Sequence, residues 1–264
     1  MSSATSAAED VCCKRLVGKV ALVTAATAGI GLATAERLAQ EGASVFICSR
    51  KQSNVDETVA ALRSRGLEVA GCACHVGSAE QRRQLVEQCV KRYGGLDMLV
   101  SNAAVNPGAG PLAETPPDVI DKILDINIKS AVLLVQEALP HLLRRPGASI
   151  VFVSSVTAFN PAAPIAMYAV SKTALLGLTK GLAAELGPRG VRVNCVAPGI
   201  VPTKFSAALV QTPELAARQA EGTLLRRLGR PQEQAAAVAF LVSPDAAYVT
   251  GETLVVAGGM QSRL

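Results

Sequence analysis

The sequence predicts a doubly wound α/β protein, with a parallel seven-stranded sheet covered by helices on both faces. Three observations carry that expectation. Seven short, β-rich apolar runs alternate with segments of helical periodicity, and the runs are continuously apolar rather than alternating. The chain has 264 residues, 50% of them hydrophobic and none of them Trp, enough for the core of one large domain. Strands separated by helices pair in parallel because each crossover returns the chain in the same direction, and both sheet faces are then buried.

Taken in order, the first strand is the run 18–24, GKVALVT. A helix follows over 29–42, with Ile30, Ala33, Leu38 and Ala39 at helical spacing and Gly42 as its C-terminal cap. The second strand is 44–50, SVFICSR, and the next helix, 54–65, carries Val55, Val59 and Leu62 on one face. The third strand is LEVAGCACHV, after which Ser78 and Gln81 have the spacing of a capping box. LDMLVSNAA is the fourth strand, a long helix is expected over 117–143, and SIVFVSS is the fifth strand. A helix over 165–186, the sixth strand VRVNCVAPG, a helix over 232–242 and the seventh strand ETLVVAGG complete the alternation. There is no internal repeat or long linker, so residues 1–264 are expected to form a single domain. Residues 1–15 are expected to be a flexible N-terminus, and 200–230 to be the most loop-like insertion.

The formal charge of +5 is scattered along the chain without a basic block interleaved with aromatics, which argues against a nucleic-acid surface and suits a small polyanion. The seven cysteines are an odd number. Cys12-Cys13 and Cys72-Ala73-Cys74 match no C-x-x-C framework, and His75 and His141 are the only histidines, so no metal site is expected. Reduced, packed thiols point to an intracellular protein. No apolar stretch reaches membrane-spanning length and the N-terminus lacks the apolar core of a signal peptide. The terminal Ser262-Arg263-Leu264 is a variant of the Ser-Lys-Leu peroxisomal address, which a peroxisomal import receptor would read. The expected compartment is therefore the peroxisome, with the cytoplasm as a second location.

Between the first strand and the first helix lies TAATAGIG, residues 24–31. Ala25, Thr27, Gly29, Ile30 and Gly31 in that turn can bring backbone N–H groups and the positive end of a helix dipole up to a pyrophosphate. Ala25 stands where such loops open with glycine: it fits at little cost if its backbone is β-like and is strained if its φ is positive. Strand two ends at Ser49-Arg50-Lys51. An acidic residue there would accept bonds from a ribose 2′-hydroxyl, whereas Ser and Arg favour a 2′-phosphate, hence NADPH over NADH.

Tyr168 and Lys172, four residues apart in YAVSK, share one helix face. A phenol titrates near ~10 unaided, and a fixed ammonium is expected to pull that value towards neutrality. Ser155, closing strand five thirteen residues upstream, is placed at the same carboxyl edge of the sheet, where ligands of open α/β sheets bind.

Together with SNAA, Asn127 in DINIK and VAPG, these motifs occur in the order and spacing of the short-chain dehydrogenase/reductase family, and the resemblance spans residues 16–259. SRKQSNVDETVA, CHVG, LVSNAAVNP, SKTALLGLTK and VRVNCVAPG resemble more narrowly its NADPH-dependent carbonyl reductases and retinol dehydrogenases. The resemblance implies a single Rossmann-type domain, a homotetramer, NADPH/NADP+ as cofactor and catalysis by Ser155, Tyr168, Lys172 and Asn127. In that scheme Tyr168 protonates the carbonyl oxygen, Lys172 lowers its pKa, Ser155 orients the substrate and Asn127 holds a water in the proton relay. Asn102 supports the turn after strand four, and Pro198, Gly199, Ile200 and Thr203 flank the nicotinamide. His75-Val76 stands where relatives have Asp-Val beside the adenine, and Ala28 where NADPH users often carry a cation.

The substrate wall is expected from Val156, Phe159, Pro161, Ile165 and Met167, with Phe205 and Leu209 from the insertion. All are apolar, which suits hydrophobic aldehydes and ketones such as retinal, aromatic ketones and α-dicarbonyls. A hydroxysteroid dehydrogenase, a 3-oxoacyl thioester reductase, or an idle NADP-binding protein would share the cofactor-side motifs.

Overall fold

The computed structural model of the chain describes residues 14–161 and 163–262. The seven expected strands form: β1 (Val20–Val23), β2 (Ser44–Ser49), β3 (Val69–Ala73), β4 (Met98–Ser101), β5 (Ser149–Val153), β6 (Arg192–Pro198) and β7 (Thr253–Val256). They make one sheet, parallel throughout, in the order β3-β2-β1-β4-β5-β6-β7. The order reverses between β1 and β4. Chain leaving those two carboxyl ends departs to opposite faces and opens a crevice there.

Burial on both faces explains why the strands read as unbroken apolar runs. Val20 and Leu22 of β1 enter one core, while Ala21 and Val23 enter the other; Ile150 and Phe152 of β5 divide from Val151 and Val153 in the same way. The first core is roofed by α3 (Ala79–Tyr93), α5 (Ser130–Leu142) and α6 (Ala166–Leu186) through Leu85, Leu134 and Leu175. The second is covered by α1 (Gly29–Gln40), α2 (Gln52–Arg63) and α8 (Pro231–Val242) through Leu38, Leu62 and Val238.

Gly42 closes α1 as expected. Its φ of 98° lets its N–H donate to Ala39 O at 3.0 Å while the Ala43 N–H donates to Leu38 O at 3.0 Å. The capping box at Ser78 is only half formed: Ser78 Oγ accepts from the Gln81 N–H, but the Gln81 amide oxygen accepts from the His75 N–H at 2.7 Å. It thereby fixes the turn leaving β3 instead of the serine's own backbone.

The single helix expected over 117–143 is interrupted. α4 (Pro117–Leu124) runs into a π turn, Asp125–Lys129, before α5 begins. The wider turn inserts one residue into the helical register and sets Asn127 inward, 1% exposed. The insertion 200–230 is also more ordered than a loop: it holds a short 3-10 turn, Ala207–Leu209, and α7 (Pro213–Glu221). Thr212 caps α7 by accepting from the Leu215 N–H, and Pro213 occupies its first position, a start signal present in the sequence.

Of the stretch 1–15 expected to be flexible, the described Arg15 is held in place. Arg15 makes a two-pronged contact with the buried Glu41 at 2.7 and 2.8 Å and reaches Asp245 at 2.7 Å, and Leu16 next to it is 1% exposed. Cys12 and Cys13 lie outside the described residues, as do Arg263 and Leu264. Among the described residues no helix is long and apolar enough to cross a membrane.

Candidate active site

The loop from β1 into α1 is tied to the end of β4. Thr24 Oγ1 accepts from the backbone N–H groups of Asn102 and Ala103 at 3.0 and 3.1 Å, and Asn102 Nδ2 donates to Thr24 O at 3.0 Å and Ala25 O at 3.2 Å. Asn102 thus supports the loop from below, as expected. A Cβ at Gly31 would sit 2.6 Å from Asn102 Nδ2, so glycine there is required by close packing. Ala25 has φ 51°, in the left-handed region: the open question at this position resolves to strain.

Ala28 precedes α1 with an extended backbone and offers no capping side chain. With no capping side chain, the first-turn N–H groups of Gly29, Ile30 and Gly31 lie at the positive end of the helix dipole, the arrangement an anionic group fits. At the tip of β2, Ser49 is half-buried, while Arg50 and Lys51 are exposed and make no ion pair among the described residues. Thr27 is half-buried within the loop. The His75 ring accepts from the Gly77 N–H at 3.2 Å, and Val76 turns its side chain into the core while its carbonyl accepts from Arg82. The expected contact of Val76 with an adenine is thereby limited to its remaining backbone.

On the other side of the crevice Pro198 is buried in β6, and the Gly199 N–H donates to Val256 O at 3.1 Å. Ile200 O accepts from the Gly229 N–H. Thr203 is braced by Ser206 and reaches the phosphate-type loop, its Cγ2 3.1 Å from where a Cβ on Gly29 would lie.

Ser155, Tyr168 and Lys172 converge beside this crevice. Tyr168 and Lys172 are 9% and 2% exposed, in successive turns of α6. Lys172 Nζ donates to Val153 O at 2.8 Å and lies 5.6 Å from the Tyr168 ring centroid. Burial lowers the ammonium to about 8. Burial also raises the Tyr168 phenol above its ordinary value, with the hydrogen bond from Ser155 pulling the other way. With the ammonium over the ring and bonded to a carbonyl, burial is the larger influence on the phenol in this arrangement.

The side chain of Asn127 is fully engaged within the protein. Its Nδ2 donates to Val105 O at 3.0 Å and Ser171 Oγ at 2.9 Å, and its Oδ1 accepts from the Val105 N–H at 2.8 Å. Ser171 Oγ in turn donates to Tyr168 O at 2.6 Å. The side chain is a clamp joining the loop after β4 to the tyrosine's helix, so a relay water would need the main chain of the π turn. Ser154, unremarked in sequence beyond its place in VSS, donates to Lys172 O at 2.8 Å and locks the lysine's turn to β5.

Of the expected substrate wall, Val156 is buried, Phe159, Ile165, Met167 and Leu209 are half-buried, and Pro161 is exposed. Phe205 is 54% exposed and leans on Tyr168, ring centroids 5.6 Å apart and tilted by 45°. No cluster of metal-ligating side chains occurs among the described residues.

Replacing Ala25 by glycine should relieve the left-handed strain and raise stability by about 0.5–1 kcal/mol in denaturant unfolding. An unchanged or lower midpoint would show that the alanine is unstrained.

The model of the family described as enoyl-(acyl carrier protein) reductase matches residues 24–261. Tropinone reductase-like 3 of Erythroxylum coca is 55% identical, over 95% of this chain and 96% of its own length. Human dehydrogenase/reductase SDR family member 4 is 54% identical, over 94% of this chain and 90% of its own. A short-chain dehydrogenase of Burkholderia cenocepacia solved in complex with NADP superposes with a TM-score of 0.85 at 36% identity, covering 93% and 98% of the two chains. The chain belongs to the short-chain dehydrogenase/reductase family of oxidoreductases.

Proposed function

We propose that this oxidoreductase reduces hydrophobic aldehydes and ketones to alcohols with NADPH, reversibly, with retinal, aromatic ketones and α-dicarbonyls as the substrate class. The observation that carries the reading is the buried Tyr168 phenol with Lys172 Nζ 5.6 Å from its ring centroid, one helical turn on, at the mouth of a crevice with an anion-ready helix start.

The residues present fit NADPH. The uncapped first turn of α1 would hold the pyrophosphate, Arg50 and Lys51 the 2′-phosphate, and Thr203 with the backbone around Ile200 the nicotinamide end. Two solved relatives support the choice, the Burkholderia enzyme with NADP and an actinorhodin polyketide ketoreductase with NADPH, the latter at TM-score 0.88 and 36% identity. When bound, the cofactor supplies the hydride for the carbonyl carbon. The chain's own part is to place the carbonyl oxygen between Ser155 Oγ and Tyr168 Oη, give it the phenolic proton, and exclude water with Phe205 and Val156. Lys172, partly charged near its midpoint of about 8, stands one helical turn away to stabilise the phenolate left behind.

The exposed Gly177 and Gly181 of α6, with no atom within 4 Å of their missing side chains, suit close helix packing between subunits of a homotetramer. The terminal Ser262-Arg263-Leu264 supports peroxisomal import.

NADPH oxidation should proceed on a panel of retinal, a benzil-type diketone, a 3-ketosteroid and an acetoacetyl thioester, with the first two preferred. Preference for the steroid or the thioester would move the assignment to those classes, and no turnover on any would leave an idle NADP-binding protein. Tyr168→Phe should lose at least ~10³-fold in turnover while still binding NADPH; full activity in this variant refutes the mechanism. Light scattering should give four chains per particle, and a monomer would remove the tetramer. Deleting 262–264 should disperse a peroxisomal protein into the cytoplasm, and an unchanged distribution would discard the address.

A further inference from the structure

Ser155 carries a second set of contacts that none of the expected roles requires. Its Oγ accepts from two groups of one residue, the Thr157 backbone N–H at 3.2 Å and the Thr157 hydroxyl at 2.9 Å. The local fold forces both. Ser155 is extended, φ −162° and ψ 154°, and caps the short 3-10 turn Val156–Ala158, which curls Thr157 back over the serine oxygen.

A serine hydroxyl has one O–H to give and two lone pairs to receive. Thr157 fills both lone pairs, so the hydroxyl can act only as a donor, towards Tyr168 and the oxygen placed between them. We infer that Thr157 is a positioning residue that fixes Ser155 as an obligate hydrogen-bond donor in carbonyl reduction, an inference that rests on the reading proposed above.

Without the Thr157 hydroxyl one lone pair of Ser155 opens. The Tyr168 O–H can then donate into it, which parks the proton meant for the substrate on the neighbouring serine. A second effect points the same way. A hydroxyl that accepts a hydrogen bond from another hydroxyl is polarised and donates more strongly. The Ser155 bond is what pulls the phenol down against burial, so weakening it leaves the phenol harder to ionise.

The test compares wild type with Thr157→Val, which keeps the shape and loses the O–H, Thr157→Ala, which guards against misfolding of the valine variant, and Thr157→Ser, which restores the donor. Expected for T157V and T157A is a fall in kcat of about five- to tenfold with the KM for NADPH unchanged, the size of one lost hydrogen bond. The rising limb of the pH profile for alcohol oxidation should move to higher pH, because that direction needs the phenolate. T157S should recover both. Wild-type kcat with an unshifted profile in T157V and T157A overturns the role of Thr157 alone, as does a T157S variant as impaired as T157V. A wild-type protein that turns over none of the carbonyls overturns the carbonyl-reductase reading and this role with it.

Discussion

The ammonium of Lys172 is the buried charge around which the site is arranged. It is 2% exposed and has one strong hydrogen bond, to Val153 O. A desolvated cation is costly unless it is hydrogen-bonded, and burial loosens its hold on its proton. Ser154 grips the lysine's carbonyl, Ser171, itself held by Asn127, grips the tyrosine's, and burial has brought the ammonium down to about 8. The same burial pushes the phenol of Tyr168 the other way, so the site keeps a loaded acid beside a cation whose proton burial has loosened.

That arrangement depends on two chain segments far apart in sequence meeting at one sheet edge. The reversal between β1 and β4 creates the crevice, Asn102 ties the loop after β1 to the end of β4, and Asn127 ties the loop after β4 to α6. Side-chain bonds at Asn102 and Asn127, joined by the main chain of 102–105, thus link the loop after β1 to the tyrosine's helix. The strain at Ala25 sits at the start of that path, where Asn102 accepts the consequences by bonding the carbonyls on both sides of the distortion.

Much of the fold was legible because a buried parallel sheet writes itself as apolar runs of strand length. All seven strands and the Gly42 cap follow from that pattern and from glycine's tolerance of positive φ. The π turn was not legible: DINIK fits an uninterrupted helix by periodicity, and only the tertiary pull on Asn127 from Val105 and Ser171 widens it. α7 was missed although Thr212-Pro213 marks a helix start, because apolar periodicity is weak in so short and exposed a helix. In the site, residue types showed which side chains assemble but not which bonds they make. That Lys172 bonds the Val153 carbonyl, and that the Asn127 amide is spent on Val105 and Ser171, depends on tertiary contacts that residue spacing does not encode. Thr157 carried no signal beyond a hydroxyl two residues after Ser155, since its effect arises from the 3-10 turn.

Everything in the site follows from how far burial has weakened the hold of Lys172 on its proton. The direct measurement is a pH titration of the Lys172 ε-carbon by NMR in the uniformly folded, ligand-free protein, assigned with Lys172→Met. The account predicts a midpoint near 8. Because the unfolded lysine binds its proton more tightly, stability should then rise with pH between that midpoint and about 10.5, where the unfolded lysine titrates. A midpoint at or above the ordinary lysine value, with no such rise, would contradict it.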